Sequence, residues 1–229
     1  MLHRLDIKFP IGPIIEQVQS LSFDKRLCLN ETSGPLFSGP YKLKEEFKNT
    51  PLGNVLESIG PIGEARLLKL SSAESYTAHA DPDDRYHLAI TTNSYCYLQD
   101  LSNQKLYHIP ADGYIWRMDT SQIHVATNFG GRDRIHLNIR VPLPAFKFPG
   151  VLISLDGGDF DWKQELHISF MSYLNQAIKN GLVTGIEKIN DKELLLNYNS
   201  EEVINTITSA VTAKGFSIII REVSELISL

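Results

Sequence analysis

Seven short runs rich in β-branched and aromatic residues crowd the stretch from Glu64 to Val141: ARLLKL, RYHLAITT, YCYLQD, KLYHI, YIWRMD, QIHVATN and RIHLNIRV. Turn-forming residues interrupt them at Pro82-Asp83-Asp84, Ser102-Asn103, Ala111-Asp112-Gly113 and Gly130-Gly131. Proline presets φ, glycine accepts a left-handed φ, and Asn or Asp bonds to its own backbone, so each cluster ends a strand. Strands so closely spaced predict an antiparallel sandwich or barrel.

Helical signals flank this region. Upstream, GPIIEQVQSL is amphipathic, and Thr50 as N-cap with Pro51 at the first helical position opens a helix that Gly60 closes. Downstream, VPLPAFKFPG leads out of the β region, and KQELHISFMSYLNQAIKNGL has helical spacing ending at Gly181. ELLLNY reads as a strand, and Asn199 three residues before Glu202 resembles a capping box. Val203, Ile204, Ile207, Ala210 and Val211 would form one face of the helix that follows, and FSIIIREV reads as a last strand. The expectation is a mainly β protein with flanking helices. Residues 1–60 form a helical cover, 61–145 the β core, and 151–229 a small α+β appendage.

The totals exclude some functions. A net charge of −5 over 229 residues argues against a nucleic-acid partner, because a phosphate backbone demands a basic face. No apolar run reaches membrane-spanning length, and MLHRLDIKFPIG lacks the apolar segment of a signal peptide. Cys28 and Cys96 mark neither a disulfide framework nor a zinc ribbon, so a reducing cytoplasm is the expected compartment.

The β core also carries groups that dislike burial. His79 and Asp81 are two residues apart, so on a strand they share one face and can offer a nitrogen and an oxygen to one metal ion. His124, several strands downstream, is the candidate third ligand; two histidines and one carboxylate make the facial triad of non-haem Fe(II) sites. The competing reading is a surface turn opened by Asp81-Pro82, with Asp83 and Asp84 solvated. A Gly130-Gly131 hairpin would return the next strand beside His124. On that strand Arg134, His136 and Asn138 alternate with Ile135, Leu137 and Ile139, while Arg85 and His87 alternate with Tyr86, Leu88 and Ile90. Each strand thus sets an Arg-x-His face against an apolar one. Either the sheet has one wet side, or these faces line a cavity whose arginine would take a carboxylate. A keto acid reaching from iron to arginine, such as 2-oxoglutarate, suits the second case.

In this order, TPLGNVLESIG, ARLLKL, HADPDDRYHLAITTN, DGYIWRMDTSQIHVATN and GRDRIHLNIRV resemble the aspartyl/asparaginyl β-hydroxylase family of Fe(II)- and 2-oxoglutarate-dependent dioxygenases. The resemblance runs from about Thr50 to Val141. It implies a double-stranded β-helix, a jelly-roll or cupin-like barrel with iron at its mouth. His79 and His124 match the family's iron-binding histidines, and Arg134 matches the arginine that binds the far carboxylate of 2-oxoglutarate. Arg85 and His87 match an Arg-x-His near the cosubstrate's metal-binding end. Asp81 stands where the vertebrate protein hydroxylase has glycine and where similar free-proline hydroxylases keep aspartate. The implied cofactor is Fe(II), with 2-oxoglutarate as cosubstrate. The partners are O2 and a small-molecule or peptide substrate. A non-catalytic, cupin-like metal or small-ligand binding protein is the alternative. Residues 151–229 match nothing named and read as a cap, a homodimerisation element or a separate module.

Overall fold

The structure, a computed structural model, describes residues 2–156, 166–190, 192–213 and 215–225. The chain opens with β1 (Leu2–Lys8), α1 (Ile11–Ser20), β2 (Arg26–Cys28), β3 (Asn30–Glu31) and β4 (Lys42–Leu43). A 3-10 turn leads into α2 (Pro51–Ile59), where the Thr50 hydroxyl accepts a hydrogen bond from the Gly53 N–H and Gly60 ends the helix at φ 95°. Then come β5 (Ala65–Leu70), β6 (Glu74–Ser75), β7 (Arg85–Thr91), β8 (Cys96–Asp100), β9 (Lys105–Tyr107), β10 (Tyr114–Met118), β11 (His124–Asn128) and β12 (Arg134–Arg140). The last part comprises β13 (Gly150–Asp156), α3 (Leu166–Lys179), β14 (Val183–Asn190), β15 (Glu193–Tyr198), α4 (Glu201–Thr212) and β16 (Ser217–Val223). No helix among the described residues is long and apolar enough to cross a membrane.

A six-stranded antiparallel sheet runs β1-β10-β7-β12-β5-β2, and a four-stranded one runs β6-β11-β8-β9. Residues 1–60 therefore supply both edge strands of the larger sheet as well as its helical cover. Alternation along each strand assigns its two faces. Leu67, Leu88, Ile90, Ile115, Leu137 and Ile139 face outward and pack under Ile14 and Val18 of α1 and Leu52, Val55 and Leu56 of α2. Each fully buried side chain of this kind is worth about 1.5–3 kcal/mol, so the two helices and the sheet stabilise one another. Leu70, Ala89 and Met118 face inward and meet Leu98 and Ala126 of the smaller sheet.

Gly130-Gly131 does not close a hairpin. β11 pairs with β6 and β8, whereas β12 pairs with β5 and β7, so the turn carries the chain from one sheet to the other. Asn128 makes this corner. It is fully buried; its Oδ1 accepts from the Gly130 N–H, and its Nδ2 donates to the carbonyls of Leu70, Ser71 and Arg132. Those backbone groups are satisfied by the side chain instead of by a returning ladder. A Cβ on Gly130 would lie 2.2 Å from the Asn93 Oδ1, so any larger residue at this corner would have to displace the Asn93 side chain.

In the C-terminal part, a third sheet, β14-β15-β13-β16, carries α3 and α4 on one face. Phe170, Leu174, Val203, Ile207 and Val211 pack on Val151, Ile153, Leu194 and Leu196. β13 and β14 carry no clear alternation and escape a sequence reading. The cap of α4 is Ser200 rather than Asn199: the Ser200 hydroxyl accepts from the Glu202 N–H, while the Asn199 amide donates to the Gly181 carbonyl. The start of the expected helix, before Leu166, lies outside the described residues.

Candidate metal centre

His79 lies just outside the regular strands, in an isolated bridge to His124. Its N–H donates to the His124 carbonyl at 3.0 Å, and the His124 N–H returns to the His79 carbonyl at 2.8 Å. Two residues on, the Asp81 N–H donates to the Thr120 carbonyl at 3.0 Å. The extended backbone then puts His79, Asp81 and His124 on one side, with their donor atoms within 4.8 Å of one another. The Asp81 Oδ2 stands 3.8 Å from the Nε2 of each histidine.

The tautomers suit a metal. The Nδ1–H of His79 donates to the Thr77 carbonyl and that of His124 to the Gln122 carbonyl, both at 2.8 Å, which leaves each Nε2 lone pair free. Arg85 Nη2 forms an ion pair with the Asp81 Oδ1 at 3.0 Å, so the other carboxylate oxygen is the one turned toward the histidines. Burial alone would raise the Asp81 pKa. The positive charge of Arg85, together with the two histidines and Arg140, outweighs it and holds the carboxyl well below its ordinary range. Burial lowers the His124 pKa to about 4 against the opposing pull of Asp81. At neutral pH the cluster is one carboxylate and a neutral His124 imidazole, a donor set that fits a divalent transition metal with positions left open.

Behind the triad, the inner faces of both sheets enclose a cavity. Arg66, His87, Arg134, His136 and Asn138 line it with Leu68, Leu98, Met118 and Ala126. The Arg-x-His faces therefore point inward, not to solvent. Arg134 is 3% exposed, and no carboxylate among the described residues pairs with it. Its hydrogen bond runs to the His136 Nδ1 at 3.0 Å, which puts the His136 proton on Nε2, a buried atom with no partner. Asn138 faces the His87 Nε2 at 3.4 Å, and the His87 Nδ1 is likewise buried and unpartnered. Burial first, then the charge of Arg134, push both imidazoles well below the ordinary histidine range, so they are neutral N–H donors. Burial also lowers the Arg134 pKa to about 10, which leaves it charged at neutral pH. The cavity is rich in donors and poor in acceptors.

Arg85 lies at the cavity wall but commits its guanidinium to Asp81 and Asp83. Asp83 and Asp84 are not solvated turn residues: they are 1% and 7% exposed. Asp83 pairs with Arg85 and bidentately with Arg140, and Asp84 with Arg117 and Lys179. The turn looks polar locally, yet Arg140, Arg117 and Lys179 converge on it from other elements. Strand alternation points to His136 and Asn138 beside Arg134. Arg66 carries no such sign until β5 is paired with β12, where it stands opposite Asn138.

Fold and site together define an antiparallel β protein in which two facing sheets carry a His-Asp-His cluster at the end of an interior, cationic cavity. Residues 44–144 match the model of the aspartyl/asparaginyl beta-hydroxylase family, so this stretch of the chain is similar to that family. The matched stretch holds α2, strands β5 to β12 and all six residues singled out from the sequence. No curated protein matches the chain.

Proposed function

We propose that the chain is an Fe(II)- and 2-oxoglutarate-dependent dioxygenase that hydroxylates a C–H bond of an amino acid, a peptide or a related small metabolite. In this reading β5 to β12 form a double-stranded β-helix: successive strands are shared between two sheets whose inner orders are β5-β12-β7-β10 and β6-β11-β8-β9. His79, Asp81 and His124 would hold the iron, which when bound supplies oxygen activation coupled to decarboxylation of the keto acid. Arg134 carries the argument. A buried guanidinium without a counter-ion costs several kcal/mol, and a carboxylate delivered by the cosubstrate offsets that cost. The His136 Nε2–H stands beside it as a further donor, and the Leu68, Leu98, Met118 and Ala126 walls exclude water.

Anaerobic addition of Fe(II) and 2-oxoglutarate to the full chain should give the weak visible absorption of a bidentate keto-acid chelate. In air, succinate should form, and a mass-spectrometric search for products 16 Da heavier across amino acids and peptides identifies the substrate. Asp81→Ala should lose most iron binding and turnover. Chelation without succinate would instead favour the non-catalytic, cupin-like binding protein, and neither chelation nor succinate would remove both.

A further inference from the structure

The residue between the two ligands of the first motif does not belong to the β sandwich. Ala80 is fully buried in the hydrophobic cluster of the C-terminal part, with Phe170, Leu174, Ile186 and Val203. An extended backbone sends alternate side chains to opposite sides. His79 and Asp81 therefore face the metal site while Ala80 is gripped from behind. Polar contacts from α3 reinforce the grip. Asn175, 1% exposed, donates to the Asp81 carbonyl at 3.2 Å and to the Thr120 hydroxyl at 3.5 Å. Gln176 donates to the Ser121 hydroxyl at 2.7 Å, and Lys179 pairs with Asp119 at 2.8 Å and Asp84 at 2.9 Å.

These contacts fall on two chain segments, Ala80–Asp84 and Asp119–Ser121. The first carries Asp81, and the second leads into His124 and bonds Asp81 through the Thr120 carbonyl. Neither segment lies in a regular strand, so the ladders of the sandwich alone do not fix them.

We propose that the C-terminal part is a structural component of the metal centre, with Asn175 and Lys179 of α3 as positioning residues that hold Asp81 and His124 at ligating distance. This rests on the triad being a metal site. It does not depend on the identity of the substrate.

The test uses the full chain and Co(II) alone, read by its ligand-field absorption and by calorimetry. Asn175→Leu combined with Lys179→Met should weaken Co(II) binding by about 10- to 100-fold, the range for residues that orient metal ligands. It should also alter the Co(II) spectrum. Lys179→Arg, which keeps the ion pairs, should restore affinity when paired with native Asn175. Ile207→Ala, on α4 in the same hydrophobic cluster and with no polar group to offer either segment, calibrates lost stability. Native-like affinity and spectrum in the double variant would overturn the proposal. So would an equal loss of affinity in Ile207→Ala at equal loss of melting temperature. Should the double variant fail to fold, the two single variants are read by the same criteria. His79→Ala separates the underlying reading: if Co(II) binds it as tightly as the native chain, the metal site itself is wrong.

Discussion

Replacing Arg134 by methionine should stabilise the free protein while destroying its affinity for the keto acid. The guanidinium is buried without a carboxylate, and burial lowers its pKa from the ordinary arginine value to about 10. That difference corresponds to about 3 kcal/mol of destabilisation. The sign follows from linkage. For a base whose folded pKa lies below its unfolded one, the penalty is complete below about pH 10 and fades only as pH rises from there toward the ordinary arginine value. Methionine removes the penalty and fills a similar volume, but deletes the hydrogen bond to the His136 Nδ1, worth about 1–2 kcal/mol. The net change is about 1–2 kcal/mol of added stability, or roughly 2–8 °C in melting temperature for a chain of this size. Loss of a buried ion pair with the ligand should cost about 2–5 kcal/mol, about 30- to 5,000-fold in Kd for 2-oxoglutarate. Urea denaturation of the free protein and anaerobic calorimetry with Co(II) and 2-oxoglutarate measure both quantities. Arg134→Met that loses more than about 3 kcal/mol of stability while binding 2-oxoglutarate as before would show a structural arginine and refute the reasoning.

Acid should destabilise the metal-free protein early. His124, with its pKa lowered to about 4, binds its proton less readily folded than unfolded. Stability conferred by the neutral imidazole is complete above the unfolded value near 6.5 and is lost as pH falls from there toward about 4. His87 and His136 act in the same direction. Urea midpoints measured at steps from pH 7.5 to 4.5 should fall steadily below about 6.5, and a flat profile would contradict the buried neutral imidazoles. On the opposite face of the same sheet, Leu137→Ala should cost about 2–5 kcal/mol, because Leu137 is fully buried beneath α1 and α2. Its side chain points away from the cavity, so Co(II) affinity of the folded variant should be unchanged; a parallel loss would mean the outer face also shapes the site.

Strands β5 and β7 to β12 can be placed from residue order because their signals are local: alternation assigns faces, and Gly, Pro, Asn and Asp mark the ends. The same alternation sets Arg85 and His87 on one face, and Arg134, His136 and Asn138 on one face, in agreement with the cavity lining. β1 gave no such signal: it is an edge strand with four of its seven residues exposed, so little apolar pattern was required of it. Partnership between distant segments has no local signature. Gly130-Gly131 reads as a hairpin until Asn128 is seen to occupy the backbone groups a hairpin would pair. Asp83 and Asp84 read as solvated until Arg140, Arg117 and Lys179 converge on them. Asn175 follows Asp81 by 94 positions, and nothing in its helix announces a carbonyl to be met there. Residue periodicity specifies which way a side chain points; which charge or donor it finds depends on how the sheets and the C-terminal part pack, and long-range packing settled those pairings here.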